Sequence, residues 1–136
     1  MGYRSEVVLV VGKEVMPQFM VTMAKSPDAR SLCFLEADQR EEDYEEKGNM
    51  LFSWFDIKWY DSYEGVAAIQ DFLDWCDSEH VPVSDEQAKA DMSPTPITHV
   101  DGDQCYRFVR IGEEVEDIEE RGSGFWDVGV RRSIEF

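Results

Sequence analysis

Glu6-Val7-Val8-Leu9-Val10-Val11, closed by Gly12, is the stretch on which the fold turns. Its unbroken apolar run, four valines among five residues, marks a strand covered on both faces, so one layer must lie above it and another below. After the glycine, Met16, Phe19, Met20 and Met23 recur at helical spacing and predict a helix from about Glu14 to Lys25. Pro17 is tolerated because it falls in the first turn. The methionines suit either core filling or an adaptable groove.

Further along, Ser26-Pro27-Asp28 reads as a turn and Ser31-Leu32-Cys33-Phe34-Leu35-Glu36 as a second strand. Residues 36–48 form an acidic excursion: Glu36 to Glu46 hold seven acids against Arg40, with Tyr44 the one aromatic, the pattern of a solvated helix or mobile loop. Met50 to Tyr60 is aromatic and β-branched enough for a long strand, with Leu51, Phe55, Ile57 and Trp59 on one face and Phe52, Trp54, Asp56, Lys58 and Tyr60 on the other. Asp61 and Glu64 resemble a capping box, and Val66, Ile69, Phe72, Leu73 and Cys76 predict a helix from Ser62 to about Asp77.

Residues 80–103 lose periodicity around Pro82, Pro94 and Pro96, a second excursion with one helix-compatible piece at Ser84 to Ala90. Cys105 to Ile111 alternates as a strand, an acidic run fills 113–120, and Phe125 to Phe136 reads as the last strand. The expectation is a single α+β domain over residues 1–136: a mostly antiparallel sheet of about five strands, with two main helices packed on one face.

At 136 residues the chain has room for one core, and at 43% hydrophobic it has the apolar mass to build it. Thirty acids against thirteen Lys and Arg give a formal charge of −17, a field that repels phosphate backbones and anionic lipid. No nucleic acid or membrane partner is expected. Val7 to Val11 is far shorter than the roughly 20 residues of a membrane helix, and no signal-peptide pattern opens the chain, so a soluble, unexported protein is expected. Cys33, Cys76 and Cys105 lie far apart and read as reduced, buried thiols.

Catalytic signatures are sparse. His80 and His99 have no Cys, His or Asp at ligand spacing, and no Walker loop, Gly-x-Ser-x-Gly or Gly-x-Gly-x-x-Gly occurs. Asp101-Gly102-Asp103 opens like a calcium loop, but Gly112 stands where the bidentate glutamate belongs. No catalytic residue, metal or cofactor is assigned. What stands out is where the charge lies: residues 36–46, 71–103 and 113–120 hold seven, nine and six of the thirty acids, interrupted only by Arg40 and Lys89. Carboxylates three or four residues apart on a helix recur every ~5–6 Å, close to the spacing of phosphates along a strand, so a folded acidic protein can occupy a nucleic-acid groove on another protein. Solubility alone explains the same charge.

Met1-Gly2-Tyr3-Arg4-Ser5-Glu6-Val7, Lys58-Trp59-Tyr60-Asp61-Ser62-Tyr63-Glu64, and Tyr106 to Glu114 followed by Asp117-Ile118-Glu119 resemble blocks of a family of small, largely uncharacterised proteins encoded by tailed bacteriophages. The resemblance spans almost the whole chain and carries no chemistry. It implies a phage accessory protein in the host bacterial cytoplasm. The leading expectation is therefore a non-enzymatic inhibitor of a host defence or nucleic-acid-processing protein, of anti-CRISPR or anti-restriction type and a candidate DNA mimic. It would meet a basic partner surface through Glu41, Glu42, Asp43, Glu45 and Glu46, through Asp71, Asp74 and Asp77, and through Glu113, Glu114, Glu116, Asp117, Glu119 and Glu120. Tyr44, Trp75 and Trp126 are the candidate apolar anchors, with a core role the competing explanation for the two tryptophans. Two rivals stand beside it: a small enzyme or anionic-ligand domain built on Trp54, Tyr60, Arg107 and Arg110, and an oligomer that pairs through an open sheet edge. Arg107 and Arg110 are three apart on a strand and project to opposite faces, which weighs against the first.

Overall fold

The structure, a computed structural model, describes residues 3–82, 99–114, 116–125, 128–130 and 134–135. Strand β1 (Ser5–Val11) is the centre of a five-stranded sheet in which every neighbour is antiparallel. It pairs with β3 (Met50–Ile57) on one side and β6 (Tyr106–Ile111) on the other. The edges are β2 (Gln39–Glu42), paired to β3, and β7 (Ile118–Arg121), paired to β6. Val7 to Val11 are completely buried, because β1 is covered on both faces as its unbroken apolar run requires. The fold class is α+β, as expected from the sequence.

One face carries helices α1 (Met16–Lys25), α2 (Pro27–Phe34) and α3 (Glu64–Ser78). Beneath them runs a chain of rings, Phe72 to Phe19 to Phe52 to Trp54 to Trp59 to Phe108, with successive centroids 5.2–6.2 Å apart. Such tilted aromatic contacts add roughly 0.5–1.5 kcal/mol per pair beyond area burial. Val8, Val10, Leu51, Val109, Tyr44 and Val128 form a second, smaller core on the opposite face. The hairpin of β8 (Gly129–Val130) and β9 (Ile134–Glu135) lies against β1 and β6.

Four sequence expectations are corrected. The segment read as a second strand is α2: Ser26 caps it by accepting a hydrogen bond from the Ala29 amide at 3.2 Å, Pro27 occupies the first turn, and Ala29, Leu32 and Cys33 turn inward at helical spacing. The helical layer thus has three members, not two. The acidic segment is neither helix nor loose loop, since it supplies edge strand β2 and then a turn in which Gly48 N donates to Asp43 Oδ1 at 2.8 Å and Asn49 Nδ2 donates to the Tyr44 carbonyl at 3.0 Å. No capping box forms at α3, whose N-cap is Tyr63 without a side-chain bond. The fifth strand is the end of the acidic run 113–120, and the C-terminal segment makes its own two-stranded hairpin.

The 80–103 excursion begins and ends as a hairpin of β4 (His80–Pro82) and β5 (His99–Asp101), clasped by His80 Nδ1 and Asp101 Oδ1 at 2.6 Å. Residues 83–98, including the helix-compatible Ser84 to Ala90, lie outside the described residues. Gly102–Cys105 forms a 3₁₀ turn leading straight into β6, a different path from a twelve-residue calcium loop. No helix among the described residues is long and apolar enough to cross a membrane.

All three cysteines are buried and free; burial pushes the Cys76 and Cys105 thiols up to about 12 and Cys33 higher still. Only thiolates react quickly, so a thiol reagent at neutral pH is expected to label none of the three in the native state, and all three at the rate at which the protein opens. A fast-reacting equivalent in a stopped-flow trace would contradict this burial.

Candidate functional site

The expected acidic residues divide into two groups that differ in how their carboxylates are engaged. The first lies along β7 and the facing side of α3, where three arginines answer it. Arg121 NH2 reaches Asp74 Oδ1 at 2.7 Å and Asp77 Oδ2 at 2.8 Å, while its NH1 donates to Gln70 Oε1 at 2.6 Å. On the other sheet face Arg107 bonds Glu120 at 3.1 Å and the carbonyls of Val128 and Gly122 at 3.0 and 2.9 Å. Arg110 grips Asp117 through two bonds of 2.8 and 3.1 Å and reaches Glu119 and Ser5 at 3.3 Å. Asp74, Asp77, Asp117, Glu119 and Glu120 therefore also tie the sheet edge down. Asp71, Glu114 and Glu116 remain exposed, and Glu113 accepts from the Arg4 amide at 2.9 Å.

Arg110 also organises the chain's start. Tyr3 donates its hydroxyl to Asp117 at 2.6 Å and accepts from the Glu114 amide at 3.1 Å. Gly112 leaves room for this cluster, since a Cβ there would displace the Asp117 carboxylate and the Tyr3 hydroxyl. The Arg110 guanidinium, with help from Tyr3, holds the Asp117 carboxyl down at about 2. A carboxylate whose pKa is depressed on folding stabilises above its unfolded value and loses that contribution as pH falls. The window here runs from about pH 4 down to about pH 2. Because the side chain is about one-third exposed, solvent limits the effect to roughly 1 kcal/mol. Urea titrations at pH 5 and pH 2.5 should show Arg110→Gln losing less stability between the two pH values than the wild type, and an equal loss would remove Asp117 from the account.

The second group lies at the β2 edge. All four residues of β2 are exposed, and Glu41 and Glu42 make no ion pair among the described residues. The strand's cation, Arg40, is turned back on the fold, 5.3 Å from the Phe34 ring centroid and 3.2 Å from the Phe34 carbonyl. Asp43 is used by the turn, Glu45 is exposed, and Glu46 meets Lys13 at 3.0 Å. This edge continues into a cleft of about 700 Å³ bounded by the first turns of α2 and α3 and by the end of β3. Asp28, Glu36, Asp38, Asp56 and Glu64 rim it, with Trp54 in its wall.

A bulge makes that wall. Between Ser5 and Val7 of β1 lie two steps, but between their partners Ile57 and Trp54 lie three. The extra residue turns Phe55 out, 54% exposed, and brings Ile57 to the Trp54 face, so the face assignment from strict alternation fails beyond Trp54. Asp38 secures the bulge by accepting from Phe55 N at 2.7 Å. Nothing in the spacing of residues 50–60 signals this, and the cleft could not be read from the sequence.

The three anchor candidates fare differently. Tyr44 is corrected to a core residue, 8% exposed in the second core with Phe125 at 6.1 Å, because the turn after β2 folds its ring under the sheet. Trp75 is half-buried and stacked on Phe72 at 6.4 Å, which fits the core explanation. Trp126 lies outside the described residues. The rival anion pocket does not assemble: Trp54 lines the cleft, whereas Arg107 and Arg110 sit on opposite faces, each engaged by carboxylates. Among the described residues no group of three His, Cys, Asp or Glu could hold a metal ion.

The fold and site define an antiparallel α+β protein with two acidic sheet edges, one tied by arginines and the other largely unpaired among the described residues. No family model, curated protein or solved structure matches the chain.

Proposed function

We propose that this protein acts without catalysis, as a stoichiometric acidic binder that covers a basic, nucleic-acid-binding surface of another protein. The observation that carries the reading is the set of carboxylates at the β2 edge that no ion pair engages among the described residues. On the β7 side arginines engage five carboxylates in ion pairs, while at the β2 side Glu41, Glu42 and the carboxylates lining the cleft outnumber the cations Arg4, Lys47 and Lys58 and are largely left unpaired among the described residues. An exposed edge strand bearing acids also resists pairing with another copy of itself, so the charge favours a basic partner over self-association. Together with the resemblance to phage proteins, this makes the partner a host defence or nucleic-acid-processing protein met in the bacterial cytoplasm.

The test couples capture to competition. Tagged protein retains a partner from bacterial lysate, and the purified pair is titrated with duplex DNA over a salt series. Binding is expected to weaken at least tenfold between about 50 and 200 mM salt, as for contacts that replace phosphates, and DNA is expected to displace the protein. Glu41→Lys with Glu42→Lys should weaken the pair further. Binding that ignores both salt and DNA would overturn the reading.

A further inference from the structure

We propose that the cleft between the first turns of α2 and α3 and the end of β3 seats one arginine side chain of the basic partner. This rests on the reading above and assigns that reading its anchor point. An arginine has two unlike parts, an apolar three-carbon stem and a planar cationic head that prefers carboxylates and aromatic faces. The cleft offers partners for both. Partly buried Ile57 and exposed Tyr63 are its apolar lining within reach of a stem, and Asp28, Glu36, Asp38, Asp56 and Glu64 line the same cleft. At about 700 Å³ it has room for a whole side chain together with the backbone that carries it.

The charge decides which ion enters. Two helix N-termini face the cleft, each worth about half a positive charge, and Arg4 and Lys58 also line it, which taken alone would draw an anion. Five carboxylates more than cancel them. Arg4 is already directed to Asp56, 4.0 Å from its carboxylate and 3.3 Å from its carbonyl. Asp28, Glu36 and Glu64 take no ion pair or side-chain hydrogen bond among the described residues, so carboxylate capacity is left over.

The surroundings suit a protein rather than a small free cation. Tyr63, in the cleft wall, is 45% exposed with its ring 5.1 Å from Tyr60, and Leu35, next to Glu36, is 82% exposed. Apolar groups left in water beside a charged cleft are what a partner's surface would cover, excluding solvent from the ion pair. The planar head can lie against the exposed Tyr63 ring, which an ammonium would use less well.

The experiment uses the full chain, labelled with ¹⁵N, titrated with acetyl-Gly-Arg-Gly-amide and with the same peptide carrying neutral citrulline. The arginine peptide is expected to shift amides of residues 28–38 and 54–66, and the citrulline peptide to bind at least tenfold more weakly. Glu36→Gln with Glu64→Gln should cost the arginine peptide about tenfold, Ser31→Trp or Ser62→Trp should block it by filling the cleft without changing charge, and Glu79→Gln, exposed at the opposite end of α3, should leave it unchanged. Thermal melts by circular dichroism identify any variant that has lost its fold. Shifts spread over the whole acidic surface, peptide binding that survives both tryptophan variants, or the same local shifts with inorganic phosphate would each overturn the proposal. If a captured partner binds wild type and the tryptophan variants equally, the seat is wrong while the acidic-binder reading stands; if the peptide seats but no captured protein yields to DNA, the reverse holds.

Discussion

Trp54→Ala is expected to cost about 4 kcal/mol of folding stability, the largest loss of any single truncation in the sheet. Trp54 is 1% exposed and sits between Phe52 and Trp59 in the ring chain, so removing it opens a cavity at the centre of the helical face. It also strips the Leu32 carbonyl of its donor, since Trp54 Nε1 bonds that oxygen at 3.0 Å and ties α2 to the sheet. A buried acceptor without a partner adds roughly 1–3 kcal/mol to the cost of lost packing. Trp54→Phe separates the two effects: it keeps a ring and loses the bond, and should cost about 1–2 kcal/mol. Urea unfolding monitored by far-ultraviolet circular dichroism reads both, with the transition slope unchanged. Against a typical stability of 5–15 kcal/mol, a loss near 4 should move the midpoint far enough to leave little doubt, and a loss under about 1 would contradict the packing described.

The second large effect is expected at Gly102, where α3 passes over the 3₁₀ turn. A Cβ at this position would lie inside contact distance of the Cys76 carbonyl, carbonyl carbon and Cα, all of them helix backbone. Gly102 N meanwhile donates to the Glu79 carbonyl at 2.7 Å, which fixes the turn against the end of the helix. The turn cannot retreat without giving up that bond, and the helix cannot retreat without unpacking Leu73 and Cys76. Overpacking of this kind costs about 3 kcal/mol, so Gly102→Ala should unfold well below the wild type in a thermal melt, whereas Gln104→Ala, exposed in the same turn, should stay within about 0.5 kcal/mol. Near-equal melting of the two variants would mean that α3 and the turn do not approach as described.

Where local chemistry and global pattern agreed, the sequence was legible. The buried apolar run Val7 to Val11 of β1 could sit nowhere but mid-sheet, and the stripe from Val66 to Cys76 fixed the inner face of α3. The misreading of Ser31 to Glu36 came from weighing its apolar run above the Ser-Pro-Asp that precedes it. Those three residues spell a helix start, because a serine oxygen satisfies a free amide and proline needs none. Edge strand β2 was hidden for another reason: an edge exposed on both faces has no apolar alternation to detect, and its pairing depends on β3 being there. The candidate site divided in the same way. That acids dominate was plain, but which of them remain available was not, since Arg121 meets Asp74 and Asp77 across more than forty residues.

Composition and periodicity by themselves determined that this chain makes an antiparallel α+β fold of strongly negative charge, because burial and net charge depend on residue type and short-range spacing. Only the tertiary structure decided which carboxylates are spent on arginines and which face solvent, where the bulge at Phe55 shapes a cleft, and that Tyr44 belongs to a core. Each of these is set by contacts between segments remote in sequence, and charge pairing acts through distance in space.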